Sequence, residues 1–178
     1  PASQIGGTAG FLGTAATVII QPTTAAQTIG IGVGAGSLSL PVASLNRVRS
    51  TNVRIGSATA GLMTISAWTT ASNFAQNGVL TLSSNGGIVQ TGAGVGPMNL
   101  SAGSTSLLLR QANTANTIGL TQANVLGNVA ANVNGAISIT NNTNLVIASL
   151  TDDIGTVNGI TTSNDDIGLN VTGTVTDS

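Results

Sequence analysis

The sharpest chemical feature of this sequence is a duplicated acidic pair. Asp152-Asp153-Ile154-Gly155 and Asp165-Asp166-Ile167-Gly168 repeat one pattern, offset by thirteen residues. Four carboxylates brought together would suit Ca²⁺, which takes oxygen ligands alone. Asp152, Asp153, Asp165 and Asp166 are therefore the calcium candidates. The competing reading puts each pair at a corner of the chain, where Asp accepts backbone N–H groups and tolerates turns. That reading is preferred, because the nonapeptide signature of calcium-binding solenoids is missing. Carboxylate-pair glycosidase chemistry ranks lower, since it needs a substrate groove that so few aromatics can hardly line. Lyase chemistry ranks as low, with no Lys present and Arg110 far from the acidic pairs in sequence.

Arg47, Arg49 and Arg54 make the one basic cluster. It could contact acidic glycans or lipid headgroups, but the more economical expectation is solvation of a loop or pairing with an Asp of a neighbouring segment. The run Gly30-Ile31-Gly32-Val33-Gly34-Ala35-Gly36 lacks the lysine and the spacing of a phosphate loop. Turn and close-packing roles explain its glycines better. Thr172-Gly173-Thr174-Val175-Thr176 places hydroxyls on one face of a short strand, yet one such segment is no ice-binding array. Asn99, Asn141 and Asn170 each open an Asn-X-Ser/Thr triplet, matches that chance supplies in a chain so rich in these residues.

Composition narrows the chemistry further. The 178 residues include four Arg and five Asp but no His, Cys, Lys, Glu or Tyr. A serine triad needs an imidazole and a Schiff base needs a lysine, so most catalytic machinery is missing. Zinc would find no thiolate or imidazole ligand. The reading is of a protein that is not an enzyme, with no catalytic residue and no cofactor. A net charge of −1 with four cations argues against nucleic acid. Phe11, Trp68 and Phe74 are too few for base-stacking platforms or the aromatic girdles of a membrane barrel. No apolar run approaches the ~18 residues of a membrane helix, so the chain is read as not membrane-spanning.

The elements that must position these residues are short strands. Runs such as Thr17–Gln21, Thr28–Gly32, Ser37–Leu40, Asn52–Gly56, Leu62–Ser66, Val79–Ser83, Thr105–Gln111, Thr117–Thr121, Ala136–Asn141 and Leu145–Leu150 alternate apolar and polar residues between Gly, Asn, Ser and Thr. Ile154–Val157 and Ile167–Val171 continue them. Pro41–Arg49 reads equally as a short helix or a loop. Leu62, Leu80, Met98, Ile118 and Ile137 recur at steps of roughly 18–20 residues, a solenoid period. Stacked coils place each side chain about 4.8 Å from its counterpart, where like charges repel by about 0.9 kcal/mol even in water. Columns of Val, Ile, Thr and Asn instead attract. A chain with 5% charged residues suits that environment. The expected fold is all-β, a right-handed parallel β-helix with coils of roughly 18–20 residues, forming one segment over residues 1–178.

Thr28–Leu40 (TIGIGVGAGSLSL), followed by Val53–Gly56 and Gly78–Ser83 (GVLTLS), resembles the repeat region of filamentous-haemagglutinin-like exoproteins. Pro97–Ala102, Ile154–Thr162 and Asp165–Val171 extend the likeness. The resemblance implies a right-handed parallel β-helix, exported through an outer-membrane partner transporter to the surface of a Gram-negative bacterium. The NPNL and NPNG motifs of the secretion domain are absent, so the chain resembles a piece of the repeat shaft of a longer exoprotein. The expected function is then a structural stalk of a secreted, cell-surface adhesin. Its expected partners are neighbouring coils of the same or identical chains, and host or cell-surface glycans or proteins. The alternatives are a fibre subunit that stacks end to end and a glycan-binding β-helix.

Overall fold

A computed structural model describes residues 17–92 and 94–178; Phe11 lies outside them. The alternating segments become strands. In chain order these are β1 (Thr17–Ile20), β2 (Ile29–Ile31), β3 (Leu38–Leu40), β4 (Ser50–Gly56), β5 (Met63–Ile65), β6 (Trp68–Thr69), β7 (Phe74–Ser84), β8 (Ile88–Val89) and β9 (Met98–Asn99). There follow β10 (Ser106–Gln111), β11 (Ile118–Asn124), β12 (Asn128–Val133), β13 (Ile137–Asn141), β14 (Leu145–Ile147) and β15 (Ser149–Thr151). The last four are β16 (Thr156–Asn158), β17 (Ile160–Thr161), β18 (Ile167–Val171) and β19 (Val175–Asp177). Pro41–Arg49 resolves into a single helical turn, α1 (Val42–Leu45), with Leu45 and Val48 buried.

Two long sheets share the strands. The first runs β1-β4-β7-β10-β12-β14-β19, with β17 also beside β12. The second runs β3-β2-β5-β8-β11-β13-β18. The pairings within both are parallel. Spatial order follows chain order almost throughout, and the chain passes repeatedly from the first sheet to the second and back. β6 and β9 form a small parallel pair of their own on two of these passages.

Alternation along each strand sorts side chains between a shared core and the outside. In the second sheet Ile29, Met63, Ile88, Ile118 and Ile137 are successive register partners and all are buried. In the first, Val53, Leu80, Leu107 and Val129 form the facing column. Both columns belong to one apolar cluster. Trp68 and Phe74 close it at one side, edge to face with ring centroids 5.2 Å apart. Gln90, Gln111, Asn124 and Asn141 are buried amides at strand ends and corners. Gln90 and Asn124 exchange hydrogen bonds of 2.8 and 3.1 Å. Asn124 and Asn141 are register partners, yet each spends its amide on corner backbone, accepting from the N–H of Met98 and Leu126 respectively. Buried amides therefore satisfy the turns, where regular pairing stops.

The even step of 18–20 residues does not hold. Ile118 and Ile137 are register partners 19 residues apart, but Ile29 and Met63 are 34 apart. Leu62 is exposed, Leu80 lies in the first sheet, and Met98 lies on β9. The steps lengthen because corners carry extra pieces, including β3 with α1, β6, β9 and a hairpin described below. Register is fixed strand against strand, so corner length is free to vary. The glycine run shows how tightly one corner is made. A Cβ on Gly30 would stand 2.0 Å from the Gly34 carbonyl oxygen, and one on Gly36 would stand 2.1 Å from the Gly30 nitrogen. The run ends in β3 and not in a helix, which removes the phosphate-loop reading.

Candidate functional site

Arg54, Arg110, Asp152 and Asp153 meet on the outer face of the first sheet. β12 is paired along its first half by β14 and along its second half by β17. Between those two, the chain leaves the sheet and folds back as an antiparallel hairpin, β15 with β16. Asp152 and Asp153 sit at its tip. The hairpin lies over an apolar patch of its own, made of Val79, Leu108 and Ala130 from the sheet and Ala148, Leu150 and Val157 from the cover.

At the tip, Asp152 is the most fully engaged charge. Its Oδ2 accepts from Arg110 Nε at 2.8 Å and from the Thr81 hydroxyl at 3.0 Å. Its Oδ1 accepts from Arg110 Nη2 at 2.8 Å and from the N–H groups of Ile154 and Gly155 at 2.9 and 3.0 Å. The side chain is 3% exposed. Burial alone would raise its pKa, but the Arg110 guanidinium, the two backbone N–H groups and Thr81 outweigh that and hold the carboxyl below its ordinary value. Arg110 Nη2 also donates to the Gly155 carbonyl at 2.7 Å, so cation, anion and hairpin backbone form one satisfied unit. Asp153 binds Arg54 through Nε and Nη2 at 3.0–3.1 Å. Arg54 reaches on to the Gly56 carbonyl at 2.9 Å and Gln21 Oε1 at 3.3 Å.

The acidic repeat is thus not one site. Asp152 and Asp153 cap the hairpin, while Asp165 and Asp166 are exposed in the segment that enters β18. No group of three carboxylates comes together among the described residues, and two of the four calcium candidates already face guanidinium groups. Asp152 accepts backbone N–H groups as the corner reading has it, though at a hairpin tip. Arg54 pairs with an Asp, though one 99 residues away and not in a neighbouring segment; only the pairing itself matches expectation. The separation of Arg110 from the acidic pairs does not: 42 residues apart in sequence, Arg110 and Asp152 are in direct contact. Arg49 turns back on its own backbone, donating to the carbonyls of Asn46 and Val48.

Of the glycosylation triplets, Asn141 is wholly buried and holds backbone, so the folded chain withholds it. Asn99 accepts from the Ser101 N–H and hydroxyl at 3.0 and 2.7 Å, and Asn170 is exposed. Thr172 donates to Asn142 Oδ1 at 3.2 Å. An open groove of about 430 Å³ runs over a corner, lined by Leu100, Ser104, Ser106, Val125, Asn128 and Asn144 among others. Thr81 and the cover itself escaped sequence reasoning. The available signal was Leu107-Leu108-Leu109: a strand with one face in water alternates, whereas an unbroken apolar run has both faces buried.

Comparison with known protein families, curated proteins and solved structures returns no match for this chain.

Proposed function

We propose that this chain is a stretch of right-handed parallel β-helix acting as a non-catalytic shaft of a secreted, filamentous-haemagglutinin-like adhesin on a Gram-negative cell surface. The observation that carries the reading is the order of the strands. Two parallel sheets are laid down in chain order around a shared core, as a coil wound along one axis would produce. The hand follows from the strong right-handed preference of parallel crossovers. A rod of this kind separates its two ends and presents long faces. Four of its nine charged residues, Arg54, Arg110, Asp152 and Asp153, hold the hairpin, which supports a mechanical role over a chemical one for that cluster.

A self-assembling fibre is the second reading, and β18 and β19 favour it. Ile167, Leu169 and Val175 continue the buried columns of Ile137, Ile139 and Leu145, yet they are 46%, 36% and 48% exposed. A further coil, from the same chain or another copy, would cover them. A glycan-binding face, drawing on the corner groove, ranks third, because no aromatic lines that groove.

Electron microscopy of the purified chain over a range of concentrations tests the set. Short rods of one length support the shaft. Uniform filaments whose axial repeat matches one chain support the fibre. Compact globules overturn both.

A further inference from the structure

The hairpin reaches across strands that are not neighbours. Its root is on β12, through β14 and β17. Asp152 binds Thr81 of β7 and Arg110 of β10, and Asp153 binds Arg54 of β4. From β12 to β4 is three strand spacings, about 14 Å. Val79, Leu108 and Ala130, one from each of β7, β10 and β12, lie beneath it. Both ion pairs found among the described residues are used at this tip.

In a stack where each strand touches only the next, stability is a sum of neighbour terms and the array frays from an end. We infer that hairpin β15–β16 is a clasp that binds β4, β7, β10 and β12 into one cooperative unit, so that they open together. The inference stands on this geometry and does not depend on the shaft reading. Releasing β4 breaks its pairing with β7, as in any stack, and also pulls Arg54 from a tip that is anchored on β10 and β12. Arg54 carries the grip one step further, to Gln21 beside β1.

Native-state hydrogen exchange on the full chain tests this. In the unaltered protein the slowest amides of β4, β7, β10 and β12 should exchange at a common rate. Asp153→Asn cuts only the outermost link. It should lower protection in β4 by about fivefold, the scale of a partly exposed ion pair, and leave β10 and β12 unchanged. Asp152→Asn removes the inner link, and should lower β4 and β7 together while β12 holds. Two results overturn the clasp. One is protection that already falls stepwise from β12 to β4 in the unaltered chain. The other is an Asp153→Asn effect that is absent from β4. The Asp153 variant alters a pair at the surface, so it reads out even where the Asp152 variant folds poorly.

Discussion

At the scale of single residues, Asp152 shows how a chain so poor in charge uses the few it has. A carboxylate 3% exposed would be costly alone; here it accepts five hydrogen bonds, two of them from one bidentate guanidinium. Removing one partner of such a pair leaves the other desolvated and uncompensated. Asp152→Ala should therefore destabilise the fold by about 3 kcal/mol, whereas Asp165→Ala, on the exposed copy of the same motif, should stay within about 0.5 kcal/mol. Urea unfolding followed through the fluorescence of Trp68, the single tryptophan, separates the two. The sign of the pH dependence follows as well. Because the folded carboxyl sits below its ordinary value, its contribution is complete above the unfolded pKa of about 3.9. It is lost as pH falls through the lower folded value. The unaltered protein should then lose stability below about pH 4 more steeply than Asp152→Ala. Equal acid slopes would assign the loss to other carboxylates.

At the scale of elements, most strands were legible because a half-buried strand must alternate. β3 reads Leu-Ser-Leu and β13 begins Ile-Ser-Ile, apolar residues in and Ser out. Where alternation failed, both faces were covered. β12 (Asn128–Val133) was missed because Ala130 and Ala131 are small, buried on opposite faces, and poor strand formers. Ile154 was expected in a strand and lies at the exposed hairpin tip. The alternating run Leu145–Leu150 divides between β14 and β15, since the period of a strand does not say which sheet it joins. The site was hidden for the same reason, because Arg110 and Thr81 are ordinary outward residues until the hairpin arrives above them. The outward column Ile19, Arg54, Thr81, Leu108 and Ala130 provides an internal comparison. Leu108 is buried under the hairpin and Ile19 is 47% exposed. Leu108→Ala should cost about 2–3 kcal/mol, or roughly 5–10 °C in Tm for a domain of this size. Ile19→Ala should scarcely move it. Matching losses at the two positions would mean that the hairpin does not seal the outer face in solution.

At the scale of the whole molecule, what matters is that a parallel stack has no intrinsic end. Each strand satisfies its backbone on both sides only while another follows, and β18 and β19 are each paired on one edge. An open edge is a template for another strand. Here the edge is accompanied by side chains that match the core columns beneath them, Ile167 over Ile137 and Leu169 over Ile139, so backbone and apolar surface point to the same kind of cover. Their exposure also means that a charge placed there costs the monomer little. Leu169→Lys should leave the free energy of urea unfolding within about 0.5 kcal/mol of the parent. It should nevertheless raise by about tenfold the concentration at which the chain associates, measured by light scattering. Burying a lysine between stacked strands forfeits the apolar contact and adds a desolvation penalty, and together these exceed the roughly 1.4 kcal/mol that a tenfold shift represents. Association unchanged by Leu169→Lys would place the self-contact elsewhere on the molecule. Loss of folding in the variant would mean that β18 is packed more tightly than the 36% exposure of Leu169 implies.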